Sequence, residues 1–308
     1  MRLLRIWPDN TKIHFMGLRH FSFPLSAIMS IATIVLFFTV GLNFGVDFKG
    51  GTLIEIQAHS GVADMAKLRT TTTNFGFGEV EVQGFGNSGG VSIKFKSQPG
   101  GEEAQKVVVQ TARAALEADY DFRRVESVGP RVSGELVQSG TIGIIVAVVA
   151  VLMYLWFRFE RELALGAIVG TLHDIVLTVG FFMITRIEFN MTSIAAILTI
   201  VGYSLNETVV VFDRTRELMR KYKAIPTVEL LDISINHTMS RTVMTAITTS
   251  LSLLALVLFG GEAIHGFAMV MLAGVIICTY SAICISTPSL IYIGLKLSGQ
   301  KDKAVAGA

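Results

Sequence analysis

Six stretches of the chain are long and apolar enough to cross a membrane as helices, and polar segments separate them. A helix needs about 20 apolar residues to span the hydrocarbon core of a bilayer. The pattern predicts membrane spans at residues 24–44, 136–157, 163–185, 189–212, 242–261 and 264–295. The last stretch is longer than one span requires, and Pro288 predicts a kink or the end of its embedded part.

The segment between the first two spans, residues 45–135, has the pattern of a water-soluble domain. Apolar and polar positions alternate over 52–58, 79–85, 91–96 and 122–128, which predicts four strands. Helical periodicity over 62–75 and 102–118 predicts two helices, and the glycine-rich residues 86–90 predict a hairpin turn. The order βαββαβ is the ferredoxin-like arrangement. The predicted fold class is therefore an α-helical polytopic membrane protein with a ferredoxin-like α+β domain between helices 1 and 2.

Composition supports a membrane protein. Hydrophobic residues make up 51% of the chain and charged residues only 16%, with a mean hydropathy of +0.58, whereas soluble domains average about 25% charged residues. Cys278 and Cys284 both fall in the last apolar stretch, which is typical of packed thiols and predicts neither a disulfide framework nor a zinc site.

Lysine and arginine are distributed unequally over the connecting segments, and this predicts an orientation. They are frequent in the N-terminal segment 1–23, after the second span, in the loop 213–241 and in the tail 296–308, while the short loop after the third span carries only Arg186. The positive-inside rule then places both termini in the cytoplasm and residues 45–135 on the opposite side. The first span is interpreted as a retained signal anchor. A surface helix over 228–235 is predicted after Pro226.

Two acids lie within predicted spans, and ionisable residues there are costly and usually functional. Asp174 shares a helical stripe with Gly166 and Gly170, whose small size favours close helix contact. Its carboxylate is thus expected to face the bundle, either as an ion-coupling group or as a structural acid bonded to hydroxyl or backbone groups. The adjacent His173 is more typical of a packed or capping histidine.

The second acid, Glu207, has Tyr203 and Asn206 as polar neighbours in the fourth span. Arg241 opens the fifth span, and a polar stripe follows it at helical spacing: Thr245, Thr248 and Ser252. A cation beside a buried carboxylate favours its charged form, so a Glu207–Arg241 pair would switch with protonation. The alternative, that Arg241 only anchors its helix at the membrane surface, is equally compatible with the pattern.

These charges predict a device driven by an ion gradient rather than an enzyme. One charge that crosses a potential of about 100 mV carries roughly 2.3 kcal/mol, enough to bias a two-state equilibrium if the two protonation states differ in their contacts. Residues 45–52 are glycine-rich but lack the spacing of a nucleotide-binding loop. No cofactor, metal or nucleic-acid partner is expected. Asp213 and Arg214, which follow the fourth span directly, are equally explained as an interfacial charge cluster.

Six short motifs occur in a fixed order along nearly the whole chain. They are NFGVDFKGGT, with Asp47, Gly50 and Gly51; VGPRVSGEL, with Gly129, Pro130 and Gly134; TLHD; VGYSLNETVVVFDRTRE, with Gly202, Tyr203, Asp213 and Arg214; SRTVMTAITT; and FGGEAIHGF with CTYSAICIS. Their order and content resemble the SecD/SecF family of the resistance-nodulation-division superfamily.

The resemblance implies an auxiliary role in protein export through the bacterial inner membrane, driven by the proton-motive force. It implies SecD, the SecYEG translocon with SecA, unfolded preprotein and membrane lipid as partners. Carried over by motif, Glu207, Arg241, Asp174 and Asn206 are the expected ion-coupling residues, although the family more often has aspartate where this chain has Glu207. Coupling to protons or to sodium ions stays open. The alternative is a small-molecule or lipid exporter of the same superfamily, but those usually have twelve spans and larger external domains.

Overall fold

A computed structural model describes residues 11–85, 89–222 and 225–295. The chain forms two compact units, one of which comprises Asn43–Gly143 and Glu188–Met191. We call it the sheet unit, and the other, which holds most of the long helices, the helical unit. The predicted tail 296–308, the first ten residues of the N-terminal segment and most of the predicted hairpin turn lie outside the described residues.

After one long N-terminal helix, shorter helices and strands occupy the first part of the chain, and long helices occupy the second. A 3-10 turn at Phe15–Leu18 precedes α1 (Arg19–Thr39), α2 (Val46–Lys49), β1 (Gly51–Ala58), α3 (Met65–Thr73), β2 (Val80–Phe85), β3 (Gly90–Phe95), α4 (Gly101–Leu116) and β4 (Tyr120–Val128). The long helices are α5 (Pro130–Arg158), α6 (Arg161–Thr185), α7 (Met191–Lys221), α8 (Thr227–Phe259) and α9 (Glu262–Ser281), and α9 continues through a π-helical turn (Ala282–Ser286) into α10 (Thr287–Ile293). Together with α1, these form six helical segments within the described residues that are long and apolar enough to cross a membrane, as predicted.

The sheet unit confirms the ferredoxin-like prediction. Its four strands run antiparallel in the order β2-β3-β1-β4, so the first strand lies in the centre. Ile54 pairs with Ile93 on one side and with Val125 on the other. Alternate residues of β1 and β3 are buried in one core with apolar residues of α3 and α4, among them Leu68 and Val108.

Local capping explains where two helices begin. Helix α3 starts at Met65, later than predicted, because the side chain of Asp64 accepts hydrogen bonds from the backbone N–H groups of Ala66 and Lys67 at 3.0 and 2.9 Å. Helix α5 starts at Pro130, before the predicted span, since proline fits the first helical position, where its missing N–H has no partner to lose.

The segment 213–241 is more helical than predicted. Helix α7 continues to Lys221, and α8 already begins at Thr227. The predicted helix over 228–235 is present as the first turns of α8, but its predicted location at the surface is wrong. Leu230 and Leu231 are fully buried in the core of the helical unit, and burial of these side chains joins the segment to the fifth span as one helix.

The predicted break in the last span takes the form of the π-helical turn before Pro288. Proline lacks an N–H and its ring collides with the carbonyl four residues earlier, here that of Cys284. This carbonyl accepts a hydrogen bond from Ser22 Oγ of α1 at 2.9 Å. The turn is thus stabilised by a hydroxyl of a neighbouring helix, which is how interrupted membrane helices satisfy their backbone.

Small residues bring α6 against the end of the last span. A Cβ added to Gly166 would lie 2.6 Å from Leu290 Cδ2, and one on Gly170 would overlap Ser286 Oγ. The predicted close contact along this stripe is present. Large exposed apolar side chains are instead concentrated on α1, α5 and α8, and such faces need lipid or protein to cover them.

Candidate functional site

Glu207 is buried inside the helical unit, with 2% of its surface exposed. Thr245 of α8 donates a hydrogen bond from Oγ1 to Glu207 Oε1 at 2.9 Å. The hydroxyls of Tyr203 and Thr242, one helical turn before Glu207 and Thr245 respectively, are also buried. The carboxylate therefore lies where α7 and α8 meet, on helices that carry further buried hydroxyls.

Arg241 lies on α8 one turn before Thr245 and is exposed. No ion pair joins it to Glu207 in the part of the chain that the structure describes. Its carbonyl oxygen is a second acceptor for Thr245 Oγ1, at 3.0 Å. Thr245 Oγ1 therefore lies within hydrogen-bond distance of the Glu207 carboxylate and of the backbone carbonyls of Arg241 and Thr242. An ion pair between Arg241 and Glu207 stays a prediction.

Asn206 and Gly202 are exposed, whereas Glu207 on the same helix is buried. A residue next to a buried one on a helix is displaced by about 100° around its axis. Adjacency in the sequence was therefore a poor guide to the partners of Glu207. The ion-coupling role of Asn206 remains a prediction.

Asp174 is also buried, with 1% of its surface exposed. Ser204 Oγ of α7 donates to Asp174 Oδ2 at 2.5 Å, and His173 Nδ1 lies 3.1 Å from Asp174 Oδ1. Ser204 is three residues before Glu207 and therefore lies on the same turn of α7. This turn carries both Glu207 and the hydrogen-bond donor of Asp174. Sequence reasoning missed Ser204, although its spacing from Glu207 was the available signal.

The side chain of His173 is nearly enclosed. Its Nε2 is buried and has no hydrogen-bond partner among the described residues, and its ring centroid lies 6.3 Å from that of Tyr280. The histidine holds Asp174 through one nitrogen and keeps the other unpaired inside the bundle. It is therefore part of the buried polar group around Asp174.

Within the sheet unit, Asp47 of the first motif caps helix α7. Its Oδ2 accepts a hydrogen bond from the backbone N–H of Met191 at 2.9 Å, and a carboxylate is favourable at a helix N-terminus. Two backbone hydrogen bonds flank this contact, Gly45 N to Phe189 O at 2.9 Å and Phe189 N to Asn43 O at 2.8 Å. We call residues 43–47 and 188–191 together the junction.

The two glycines that follow the junction have positive φ angles, +69° for Gly50 and +122° for Gly51. A Cβ on Gly51 would lie 2.2 Å from the carbonyl oxygen of Phe95, so a side chain has no room beside β3. In the second motif, the carbonyl of Gly129 accepts from Ser133 N at 3.0 Å. Nothing in the structure explains Gly134, where a Cβ would meet no atom within 4 Å.

The charged residues after the fourth span connect helix ends. Arg158 of α5 donates to both carboxylate oxygens of Asp213, each at 2.7 Å. Arg214 pairs with Glu217 and contacts His237 Nδ1 of α8 through a guanidinium nitrogen at 2.9 Å. These pairs explain Asp213 and Arg214 as structural contacts, and further roles for them stay predictions.

Six membrane-crossing helices, a ferredoxin-like domain and buried acids between helices define a multi-pass membrane protein of the transport type. Two family descriptions match the chain: "Protein export membrane protein SecD/SecF, C-terminal" over residues 108–296, and "SecD/SecF GG Motif" over residues 35–62. The chain belongs to the SecD/SecF family of protein export membrane proteins.

The related proteins are of two kinds, SecF subunits of similar length and a longer SecDF chain. The protein translocase subunit SecF of Rickettsia bellii is 39% identical over 93% of this chain and 95% of its own length. That of Cereibacter sphaeroides is 36% identical over 99% and 96%. The protein translocase subunit SecDF of Brucella abortus is 40% identical over 96% of this chain but only 39% of its own length.

Solved structures agree with these matches. The crystal structure of SecDF from Thermus thermophilus, a translocon-associated membrane protein, superposes with a TM-score of 0.81 and 29% identity, over 93% of this chain and 39% of that protein. A second structure, SecDF in a super-membrane-facing form, has a TM-score of 0.69 at the same identity. This chain thus spans about two fifths of the SecDF proteins that it matches.

Proposed function

We propose that this protein is an auxiliary subunit of the Sec protein-export machinery and works with a SecD-type partner. The relatives named above are all protein translocase subunits, and in Brucella abortus a matching region forms part of a longer SecDF chain. The exposed apolar faces of α1, α5 and α8 provide surface for such a partner and for lipid. The protein acts in the bacterial inner membrane on preproteins that SecYEG and SecA have begun to translocate.

The proposed orientation places both termini in the cytoplasm and the ferredoxin-like domain outside. The excess of lysine and arginine in segments 1–23 and 213–241 supports it. The domain is then on the side where an unfolded preprotein emerges.

Glu207 is the proposed ion-coupling group, and its buried hydrogen bond to Thr245 is the observation that carries this proposal. When ionised, the carboxylate accepts the Thr245 hydroxyl. Protonation turns one carboxyl oxygen into an O–H donor and makes the other a weaker acceptor, because hydrogen bonds to an ionised group are the stronger ones. The Thr245 hydroxyl then shifts toward the backbone carbonyls of Arg241 and Thr242. The two protonation states therefore make different contacts between α7 and α8, as an ion-driven conformational change requires.

Arg241 and Asp174 have supporting roles in this proposal. Arg241 lies one turn from Thr245 and balances the charge of the ionised carboxylate. Asp174 contacts Ser204 on the same turn of α7, so a shift of this turn alters both acids. A proton that moves through a membrane potential of about 100 mV supplies roughly 2.3 kcal/mol for the shift.

The proposed role of the external domain is to capture the emerging preprotein and draw it outward.

The experiment replaces Glu207 by glutamine in cells that depend on this protein for export. We expect the proton-motive-force-dependent part of preprotein export to be lost, because glutamine cannot ionise. Glu207→Asp keeps the carboxyl group and is expected to retain part of it. Glu135→Gln, which changes an exposed acid of the same chain, is the matched control.

Measurement of export with a protonophore, and separately with a sodium ionophore, tells the two coupling ions apart. Unchanged export and unchanged dependence on the proton-motive force in Glu207→Gln, at normal protein levels, would contradict the role of this residue. Loss of export in Glu135→Gln as well would show that the assay reports stability instead.

A further inference from the structure

A basic cleft of about 500 Å³ lies at the ends of α5 and α7, within the helical unit. Four cations and two carboxylates line it: Arg158, Arg216, Arg220, Lys221, Asp213 and Glu217. It is separate from the buried acids, and the proposed function does not use it.

The two carboxylates of this basic cleft are already occupied. Both carboxylate oxygens of Asp213 accept hydrogen bonds from Arg158. Glu217 forms an ion pair with Arg214, which does not line the cleft. The two acids therefore neutralise Arg158 and Arg214, and neither of them compensates Arg216, Arg220 or Lys221.

Those remaining cations are short of partners. Arg216 Nε is buried without a hydrogen bond, and one long ion pair, 3.6 Å to Glu160 Oε1, offsets its charge. Within the described ranges no carboxylate lies within ion-pair distance of Arg220 or Lys221. Arg216 and Arg220 are one helical turn apart, so both guanidinium groups lie on one face of α7. Two forked donors on one face match the oxygens of a phosphate group.

The position of the basic cleft favours a phosphate that belongs to a lipid. The apolar runs of α5 and α7 end at Phe157 and Phe212, directly before the cations of the cleft. Trp156 and Phe157 are 51% and 85% exposed, and exposed aromatic side chains next to arginines are typical of the level at which lipid headgroups lie. Basic clefts at this level bind anionic headgroups.

We propose that this cleft binds the headgroup phosphate of an anionic phospholipid between Arg216 and Arg220, with the acyl chains along the exposed apolar face of α5. Lys221 adds positive charge at the rim. The site holds an annular lipid in place at the ends of α5 and α7, and its occupation does not depend on the protonation of Glu207.

The test measures lipid dissociation constants for the purified full chain by native mass spectrometry, with phosphatidylglycerol and with phosphatidylethanolamine. Arg216→Gln/Arg220→Gln is expected to bind phosphatidylglycerol about twenty-fivefold more weakly than the wild type, at about fivefold per arginine. The charge-matched control Arg123→Gln/Arg131→Gln, two exposed arginines of the sheet unit, is expected to bind as the wild type does.

The single variant Arg220→Gln serves as a control for misfolding, because Arg220 forms no ion pair with any described residue. It is expected to weaken phosphatidylglycerol binding about fivefold. Equal affinity of the wild type for the two lipids, or an unchanged affinity in the double variant, would overturn the proposal. Displacement of phosphatidylglycerol by equimolar inorganic phosphate would also overturn it, because the site would then bind free anions instead of lipid.

Discussion

Replacement of Gly51 by alanine tests the first motif at its most crowded point. Gly51 has φ +122°, and a Cβ there would lie 2.2 Å from the carbonyl oxygen of Phe95 in β3. Real Cβ contacts below 3.0 Å essentially never occur, so β1 and β3 must separate by close to 1 Å or more. We expect the hydrogen bonds between these strands to weaken.

The cost has two parts. A side chain at positive φ costs about 1–3 kcal/mol of backbone strain, and an overpacked contact costs roughly another 1–3 kcal/mol. Gly61→Ala provides a reference, because Gly61 also has a positive φ, at +74°, but open space around its Cβ. The difference between the two variants contains the steric part together with the extra backbone strain of φ +122°, which lies farther from the left-handed region than +74°.

Amide hydrogen exchange on the full chain measures the difference. Local opening free energies of β1 and β3 set the exchange rates of their amides. We expect these amides to exchange about 5- to 150-fold faster in Gly51→Ala than in Gly61→Ala, which corresponds to about 1–3 kcal/mol. Equal rates in the two variants would refute the steric argument and leave only the φ requirement.

Three further predictions concern the junction, the buried carboxylate and the sheet unit. Gly45→Cys/Asn190→Cys is expected to form a disulfide on oxidation, because the two Cβ atoms would lie 3.4 Å apart, near the usual disulfide separation; thiols that stay alkylatable would contradict the contact. Thr245→Val is expected to slow export, with Thr245→Ser restoring it, since valine leaves the buried carboxylate without its donor; normal export in the valine variant would argue against the switch. The hydrogen bond from Lys96 lowers the pKa of the exposed Glu79, so Lys96→Met is expected to raise that pKa in an NMR titration. The pair stabilises the sheet unit above the ordinary carboxyl pKa, and its contribution is lost as the pH falls through the lowered value; an unchanged titration would contradict it.

Hydrophobic patterning was sufficient to predict the architecture. A membrane span needs a long apolar run and a half-buried strand needs alternation, and both are local properties of the sequence. The six spans and the βαββαβ order were therefore predictable without any long-range contact. The helix boundaries were less predictable. Helix α8 begins at Thr227 because Leu230 and Leu231 are buried in the core of the helical unit.

The candidate site was also only partly predictable from the sequence. Asp174 and Glu207 were predictable as candidates, because a charge within an apolar run is visible in the sequence. Their partners were not, since Ser204 and Thr245 are ordinary polar residues until the helices pack. The neighbour in sequence, Asn206, is exposed.

The junction depends most on tertiary structure. Asp47 and Met191 are 144 positions apart in the sequence, and neither residue type marks a helix cap at that distance. The sequence by itself determined which segments enter the membrane, which form the sheet and where the costly charges lie, because these follow from local periodicity. Only the folded chain decided which hydroxyl binds each acid and which carboxylate caps α7, because such contacts join segments whose separation in the sequence carries no information about their distance in space.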